Sequence, residues 1–170
     1  MGFSLATDLG IEEIAINRHG DKIFISAEDS TLFDRFVNCF DFIIKQSKSR
    51  AAELDEIEKK YEGKKDTESE IEMAVEMSRV NVEFSTEAAK TIDGVFGEGT
   101  VRKYFCDHYE KIPSFLPGVD CFMEFLDKIS PIMEEIFGKV IKGREEASRA
   151  RMAKYQPQDH KKPQRKGASK

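Results

Sequence analysis

Apolar residues recur at helical spacing in three long segments of the chain. The first segment spans residues 32–63, and charged residues fill the outer faces of its second half. The second spans 71–96, and the third spans 121–140. A short charged turn joins the first two segments, as in an antiparallel helical hairpin. The pattern therefore predicts a mainly α fold, with a long helical hairpin and a C-terminal helix.

Two shorter apolar runs precede these helices and have the character of β-strands. The runs at 11–16 and 23–25 flank a turn at 17–20 that ends in glycine, which predicts a small N-terminal β-hairpin. An isolated hairpin is only marginally stable in water, so we expect this one to lie on a helix or to pair with another chain. Residues 1–10 show no period and are predicted to form a flexible N-terminal arm.

Polar residues and prolines mark where the helices should begin and bend. Asp29 or Ser30 is expected to cap the first helix, and Thr67 with Glu70 matches a capping box at the start of the second. Pro131 removes one backbone hydrogen bond and should kink or break the third helix. The second helix is predicted to run to about Phe96 from the spacing of Ile71, Ala74, Val75, Ser78, Val82 and Ala89.

A Gly-Glu-Gly sequence ends the second helical segment. Gly97 and Gly99 can adopt positive φ angles at little cost, so they can end one helix and direct the next. Thr100 can cap a new helical turn, with one or two turns expected over 100–108. Gly97, Gly99 and Thr100 are therefore identified as a structural break.

Aromatic residues cluster around this break and along two of the long helices. Four of them have two open interpretations, either as a plug in the core or as partner-binding residues: Phe96, Tyr104, Phe105 and Phe115. Four others lie on the apolar stripes of the first and third helices and should meet in one core: Phe36, Phe40, Phe122 and Phe125.

The chain length and the distribution of charge divide the sequence further. A chain of 170 residues suits one domain, predicted at 11–142 and followed by a basic, largely disordered tail at 143–170. From Lys142 onward there are 10 Lys or Arg and 3 Asp or Glu, a net charge of +7. The remainder has 17 basic and 29 acidic residues, a net charge of -12. An acidic body therefore carries a basic tail.

Catalytic motifs are absent from the sequence. There is no glycine-rich phosphate loop, HExxH, CxxC or serine nucleophile elbow. Cys106 and His108 could share a metal, but no second ligand pair stands at zinc-site spacing, which favours ordinary packing. His19 and His160 have no evident catalytic partner in the sequence. We therefore expect neither enzymatic activity nor a cofactor.

The basic tail has two interpretations. It could contact nucleic acid through phosphates, or it could be a solubilising end that also touches the acidic body. Tyr155 is its one aromatic residue, so it provides poorly for base stacking. Direct nucleic-acid binding is the less favoured alternative.

Signals for export or membrane insertion are also absent. No apolar run approaches the ~20 residues that a membrane span needs, and the N-terminus has no basic region before an apolar core. The three cysteines, Cys39, Cys106 and Cys121, are odd in number and unevenly spaced, which is typical of reduced thiols. The sequence predicts a cytoplasmic protein without a membrane partner.

The order of these segments resembles a known family. A short β segment, SAEDSTLFDRF at a helix start, an acidic helix pair, VFGEGTVRKYF and an apolar helix with a Lys-rich end follow one another. This order is similar to that of small proteins encoded among the tail genes of phages and prophages of Gram-positive bacteria, which are regarded as tail assembly chaperones. The resemblance covers about residues 14–142, and its sharpest part is the FGEGT sequence at 96–100. At 106–109 the chain has Cys-Asp-His-Tyr where the family often has glycine-rich residues.

The resemblance implies a non-enzymatic function and a set of partners. Such chaperones bind the long helical tape measure protein and keep it soluble until tail tube subunits assemble on it. The implied partners are thus the tape measure protein and the tail tube protein, in the cytoplasm of the host cell. A structural or scaffold component of the same particle and a nucleic-acid-associated helical protein remain the alternatives, and a homo-oligomer stays open.

Overall fold

A computed structural model describes residues 10–154 of the chain, and helices dominate this part. The chain order is β1 (Ile11–Ala15), β2 (Lys22–Ser26), α1 (Leu32–Tyr61), α2 (Thr67–Phe96), α3 (Thr100–Tyr104), α4 (Cys106–Lys111) and α5 (Val119–Lys154). The predicted mainly α fold, with its helical hairpin, C-terminal helix and N-terminal β-hairpin, is confirmed. The predicted arm at 1–10 lies almost wholly outside the described residues, as does the tail beyond position 154.

The β-hairpin packs on the helices through one of its faces. β1 and β2 are antiparallel, with Ile14 opposite Ile23. Alternation along the strands places Ile14, Ile16, Ile23 and Ile25 in the core, because successive side chains point to opposite faces. The hairpin therefore rests on the helical body, which is one of the two arrangements expected from the sequence.

The starts of the helices differ in detail from the predicted caps. Asp29 accepts hydrogen bonds from the N–H and hydroxyl of Thr31, and α1 begins one residue after Thr31. The cap of α2 is Asp66, whose carboxylate accepts from the N–H of Ser69 at 2.8 Å. The predicted capping box is therefore wrong by one position, because Thr67 is already the first helical residue.

α5 runs the length of the body without interruption. Ser130 donates from its hydroxyl to the carbonyl of Leu126 at 2.7 Å, and the helix continues through Pro131 to Lys154. Of the two outcomes predicted for Pro131, a kink or a break, the break does not occur. Pro131 is exposed, so its ring lies on the outer side of the helix, where water can solvate the freed carbonyl. The helix also covers residues 143–154 of the segment assigned to the basic tail.

The core forms where α5 packs against the start of α1 and the end of α2. Phe122 packs edge-to-face on Phe84 at 6.0 Å, and Phe125 packs on Phe96 at 5.7 Å between ring centroids. Phe36, Phe122 and Phe125 are buried in the same cluster and Phe40 packs against it, so the predicted shared core is confirmed. Cys39 is 2% exposed in this core, and burial raises the pKa of its thiol to about 11.

The other half of the α1–α2 helical hairpin, near the turn between the two helices, has no such core. Between Ile43 on α1 and Phe84 on α2, the buried side chains of the two helices are Ile57 and Tyr61, and neither belongs to the core cluster. We call this part, residues 50–82, the distal hairpin. It consists of α1 and α2 packed on each other, outside the core that they form with α5.

The break after α2 is stabilised by Asp93, a residue that the sequence patterns did not single out. The carboxylate of Asp93 accepts hydrogen bonds from the N–H groups of Gly99 and Val101, each at 2.9 Å. The hydroxyl of Thr100 donates to the carbonyl of Gly97 at 2.7 Å. Thr100 is thus the first residue of α3 rather than its cap, and Asp93 satisfies the N–H groups that begin the helix.

The glycines of the break have the backbone angles that the sequence predicts. Gly97 has φ 108° and Gly99 has φ 80°. We expect Gly99→Ala to lower the free energy of unfolding by about 1 kcal/mol, because a β-carbon resists positive φ. Gly94 is the matched control: it lies in α2, and a β-carbon there meets no atom within 4 Å. Gly94→Ala should raise the free energy of unfolding by about 0.4–1 kcal/mol. Equal effects of the two changes in urea denaturation would contradict this account.

The carboxylate of Asp93 supports a second prediction. Asp93→Ala leaves the N–H groups of Gly99 and Val101 without their acceptor, so the free energy of unfolding should fall by about 1–3 kcal/mol. Asp93→Asn keeps one acceptor oxygen and should fall between the wild type and Asp93→Ala. Thermal and urea unfolding followed by circular dichroism measure this. If the alanine variant matches the wild type, the carboxylate is not what holds the break.

Candidate protein-binding face

The four aromatic residues near the break form a continuous series of ring contacts. Phe96 packs on Phe125, Phe125 lies 5.0 Å from Tyr104, and Tyr104 lies 4.7 Å from Phe105 between ring centroids. Phe105 is in turn 6.2 Å from Phe115. Phe96 and Phe105 are buried, while Tyr104 and Phe115 are half-buried. Their burial supports the interpretation as a plug that joins the break to α5.

The surface of α2 shows a second apolar feature, which is exposed. Ile71, Val75 and Val82 are 60%, 51% and 49% exposed, and Ser78 lies between them on the same face. The positions 71, 75, 78 and 82 are separated by four, three and four residues. This is the spacing of a coiled-coil seam, where one helix packs along another. We call these four residues the α2 stripe.

A different stripe of α2 faces the body of the protein. Met73, Met77 and Val80 are half-buried and Phe84 is buried, again at spacings of four, three and four residues. The guanidinium of Arg50 on α1 lies 6.0 Å from the centroid of the Phe84 ring, so this is the side that faces α1. Ile71, Val75 and Val82, which the sequence placed on this helix, therefore lie on its outer side. α2 thus has two apolar stripes, one facing α1 and one facing outward.

A groove lies beside the α2 stripe and ends at the start of α5. Arg50 lines it on the α1 side, and its Nε donates to Oδ1 of Asn81 at 2.7 Å. The remaining lining residues include Ala74, Met77, Ser78, Val82, Leu116 and Val119. Leu116 is 39% exposed, so the apolar surface continues from α2 across the loop before α5.

A polar network fixes the end of the distal hairpin. Glu76 accepts hydrogen bonds from Nζ of Lys60 at 2.6 Å and from the hydroxyl of Tyr61 at 3.0 Å. These two bonds, the one from Lys60 foremost, lower the pKa of Glu76. The side chains of Lys60 and Lys64 also lie over the ring of Tyr61. The helix pair is thus held together near its turn, although few residues are buried there.

The lowered pKa of Glu76 predicts a pH dependence. A carboxylate whose pKa is lower in the folded state stabilises that state above its unfolded pKa of about 4.3, and the contribution is lost as the pH falls below it. We expect the wild type to lose more stability in acid than Glu76→Gln does. Thermal unfolding of both proteins at neutral pH and near pH 3 measures this difference. An equal loss in both would show that the network contributes nothing to stability.

Two histidines that were considered for metal binding or catalysis, His108 and His19, each have a defined partner in the structure. The ring of His108 stacks on Phe115 at 4.8 Å, so the expected packing role fits it better than a shared metal with Cys106. His19, which has no partner in the sequence patterns, lies 2.6 Å from Asp107. Hydrogen bonds from His19 and then from Arg18 lower the pKa of Asp107. His160 lies outside the described residues.

Comparison of the chain with protein-family models, with curated proteins and with solved structures finds no match. The resemblance to tail assembly chaperones therefore stays a hypothesis from sequence motifs. Across residues 10–154, no helix is both long enough and apolar enough to cross a membrane.

Proposed function

We propose that the protein is a non-enzymatic assembly chaperone that binds an amphipathic helix of its partner on the distal hairpin. The sequence resemblance makes the tape measure protein of a phage tail the partner to test first, with the tail tube protein second. The proposed setting is the cytoplasm of the host cell.

The α2 stripe is the observation that carries this proposal. When another helix covers an exposed apolar seam at coiled-coil spacing, the free energy falls, because apolar surface is removed from water. The neighbouring groove adds Leu116 and Val119 at one end, so the apolar surface is wider than one row of side chains. A partner helix there would be a third helix beside α1 and α2, and it would contact Val119 at the start of α5.

Charge indicates what kind of helix fits. α2 contains seven acidic residues, Glu68, Glu70, Glu72, Glu76, Glu83, Glu87 and Asp93, and two basic residues, Arg79 and Lys90, a net charge of -5. A helix with an apolar seam and basic flanks would therefore associate faster and more tightly than an acidic one. The partner segment should have that pattern.

The test is binding of tape measure fragments from the same tail gene cluster to the purified chain. The double variant Ile71→Glu/Val75→Glu introduces charge into the stripe and should weaken binding by at least about 10-fold, since each 1.4 kcal/mol lost is a factor of ten. Ile141→Glu is the control, because Ile141 is 59% exposed and lies beside Phe33 at the start of α1, outside the groove and the stripe. Calorimetry gives the affinities, and circular dichroism verifies that both variants fold.

The outcomes separate the proposal from its competitors. Fragment binding that the stripe variant loses and the control variant keeps would support the proposal. Fragment binding that the stripe variant retains would exclude the α2 stripe as the site. Self-association of the full chain, lost in the stripe variant, would instead assign the stripe to contact between copies. Salt-sensitive binding to duplex DNA without affinity for any fragment would favour the nucleic-acid alternative.

A further inference from the structure

A cluster of metal-ligand side chains joins the β1–β2 turn to the start of α4. Nε2 of His19 lies 2.6 Å from Oδ1 of Asp107, and Sγ of Cys106 lies 4.0 Å from the same oxygen. The three ligand atoms all lie within 4.8 Å of one another. His19 and Asp107 are 88 positions apart in the sequence, so the docking of the hairpin brings them together.

Asn17 fixes the turn that carries His19. Its Oδ1 accepts hydrogen bonds from the N–H groups of His19 at 2.9 Å and Asp21 at 3.2 Å. Its Nδ2 donates to the carbonyl of Lys103 at 2.7 Å and lies 3.4 Å from Sγ of Cys106. One side chain therefore shapes the turn, attaches it to α3 and offers an N–H to the sulfur atom.

Arg18 orients the carboxylate of the cluster. Its Nε lies 3.1 Å from Oδ2 of Asp107, which leaves Oδ1 directed toward His19 and Cys106. Metal-binding carboxylates and thiolates are commonly held by such outer hydrogen bonds, which fix the ligand atom that faces the metal. The cluster thus has both the ligand types and the supporting contacts of a metal site.

The geometry points to a zinc site formed by His19 Nε2, Cys106 Sγ and Asp107 Oδ1. Zinc accepts nitrogen, sulfur and oxygen ligands together, whereas magnesium and calcium prefer oxygen alone. Within residues 10–154 the cluster has three such side chains, so water would take the fourth position of a tetrahedral ion. The ion would also connect the β-hairpin to α4. This inference does not depend on the proposed binding of a helix.

The distances agree with one shared ion after small side-chain rotations. Tetrahedral bonds of about 2.0–2.3 Å place ligand atoms about 3.3–3.6 Å apart. In the structure the three ligand atoms are between 2.6 Å and at most 4.8 Å apart. Each pair would therefore have to move by no more than about 1.2 Å to reach the tetrahedral separation. Zinc would take the place of the direct contact between His19 and Asp107 and would bind Cys106 as a thiolate, with release of the thiol proton to water.

The test uses the full chain purified without a histidine tag, stripped with a chelator and kept under a thiol-free reductant. Cobalt(II) is added first, because a thiolate ligand gives a charge-transfer absorption band and tetrahedral coordination gives intense visible bands. Zinc is then titrated against a chromophoric chelator to obtain the stoichiometry and Kd. We expect one ion per chain, displacement of cobalt by zinc, and a rise in Tm when zinc is bound.

Ligand variants and matched controls locate the ion. Cys106→Ser should remove the thiolate band. Asp107→Asn and His19→Gln should each weaken zinc binding more than the loss of a supporting hydrogen bond does, which is typically about 10–100-fold. Cys121→Ser and His108→Gln remove a thiol and an imidazole from outside the cluster and should leave the Kd unchanged. Circular dichroism of each variant without metal verifies its fold.

Two results would overturn the inference. One is the absence of a thiolate-to-cobalt band in the folded full chain. The other is a band or a zinc affinity that survives Cys106→Ser and is lost in Cys121→Ser, which would place the metal elsewhere. In either case His19, Arg18 and Asp107 form only a surface ion-pair network, whose contribution to stability is small.

Discussion

Burial of the α5 aromatic rings against one half of the α1–α2 hairpin is the interaction on which the rest of the structure depends. Phe122 and Phe125 meet Phe84 and Phe96 there, and the β-hairpin isoleucines complete the same core. The core residues of α1 end at Ile43 and those of α2 begin at Phe84, so both helices extend beyond this core. The fold therefore combines a closed three-helix body with an open two-helix extension, and the exposed α2 stripe lies on the extension.

Helical periodicity was sufficient to predict most of this architecture. The three apolar segments became α1, α2 and α5, and the phenylalanines chosen from two of them share one core. The same periodicity does not decide how α2 is oriented, because this helix has two stripes with identical spacing. Only the packing of α1 decides that Phe84 and Met77 face inward while Val75 and Val82 face water. The residue pattern of one helix does not determine which of its two stripes is buried.

The polar contacts could not be predicted, for a different reason. Asp93 holds the start of α3 only after the chain has turned at Gly97 and Gly99, so its role follows from backbone geometry rather than from a cap motif. His19 meets Asp107 across 88 positions of sequence. Such pairs arise from the docking of whole elements, and one sequence offers no spacing rule for them. Local rules also left open whether Pro131 would kink or break its helix, and the helix continues through this exposed residue.

The burial of Cys39 gives the protein a natural reporter of its own opening. A thiol that is 2% exposed and has a pKa raised to about 11 is almost entirely protonated at neutral pH, so alkylating reagents neither reach it nor find a thiolate. Cys106 and Cys121 are half-buried and lie nearer to solvent. Modification of Cys39 therefore requires α1 to separate from the core, and its labelling rate measures how often that separation occurs, in the free protein and in its complexes.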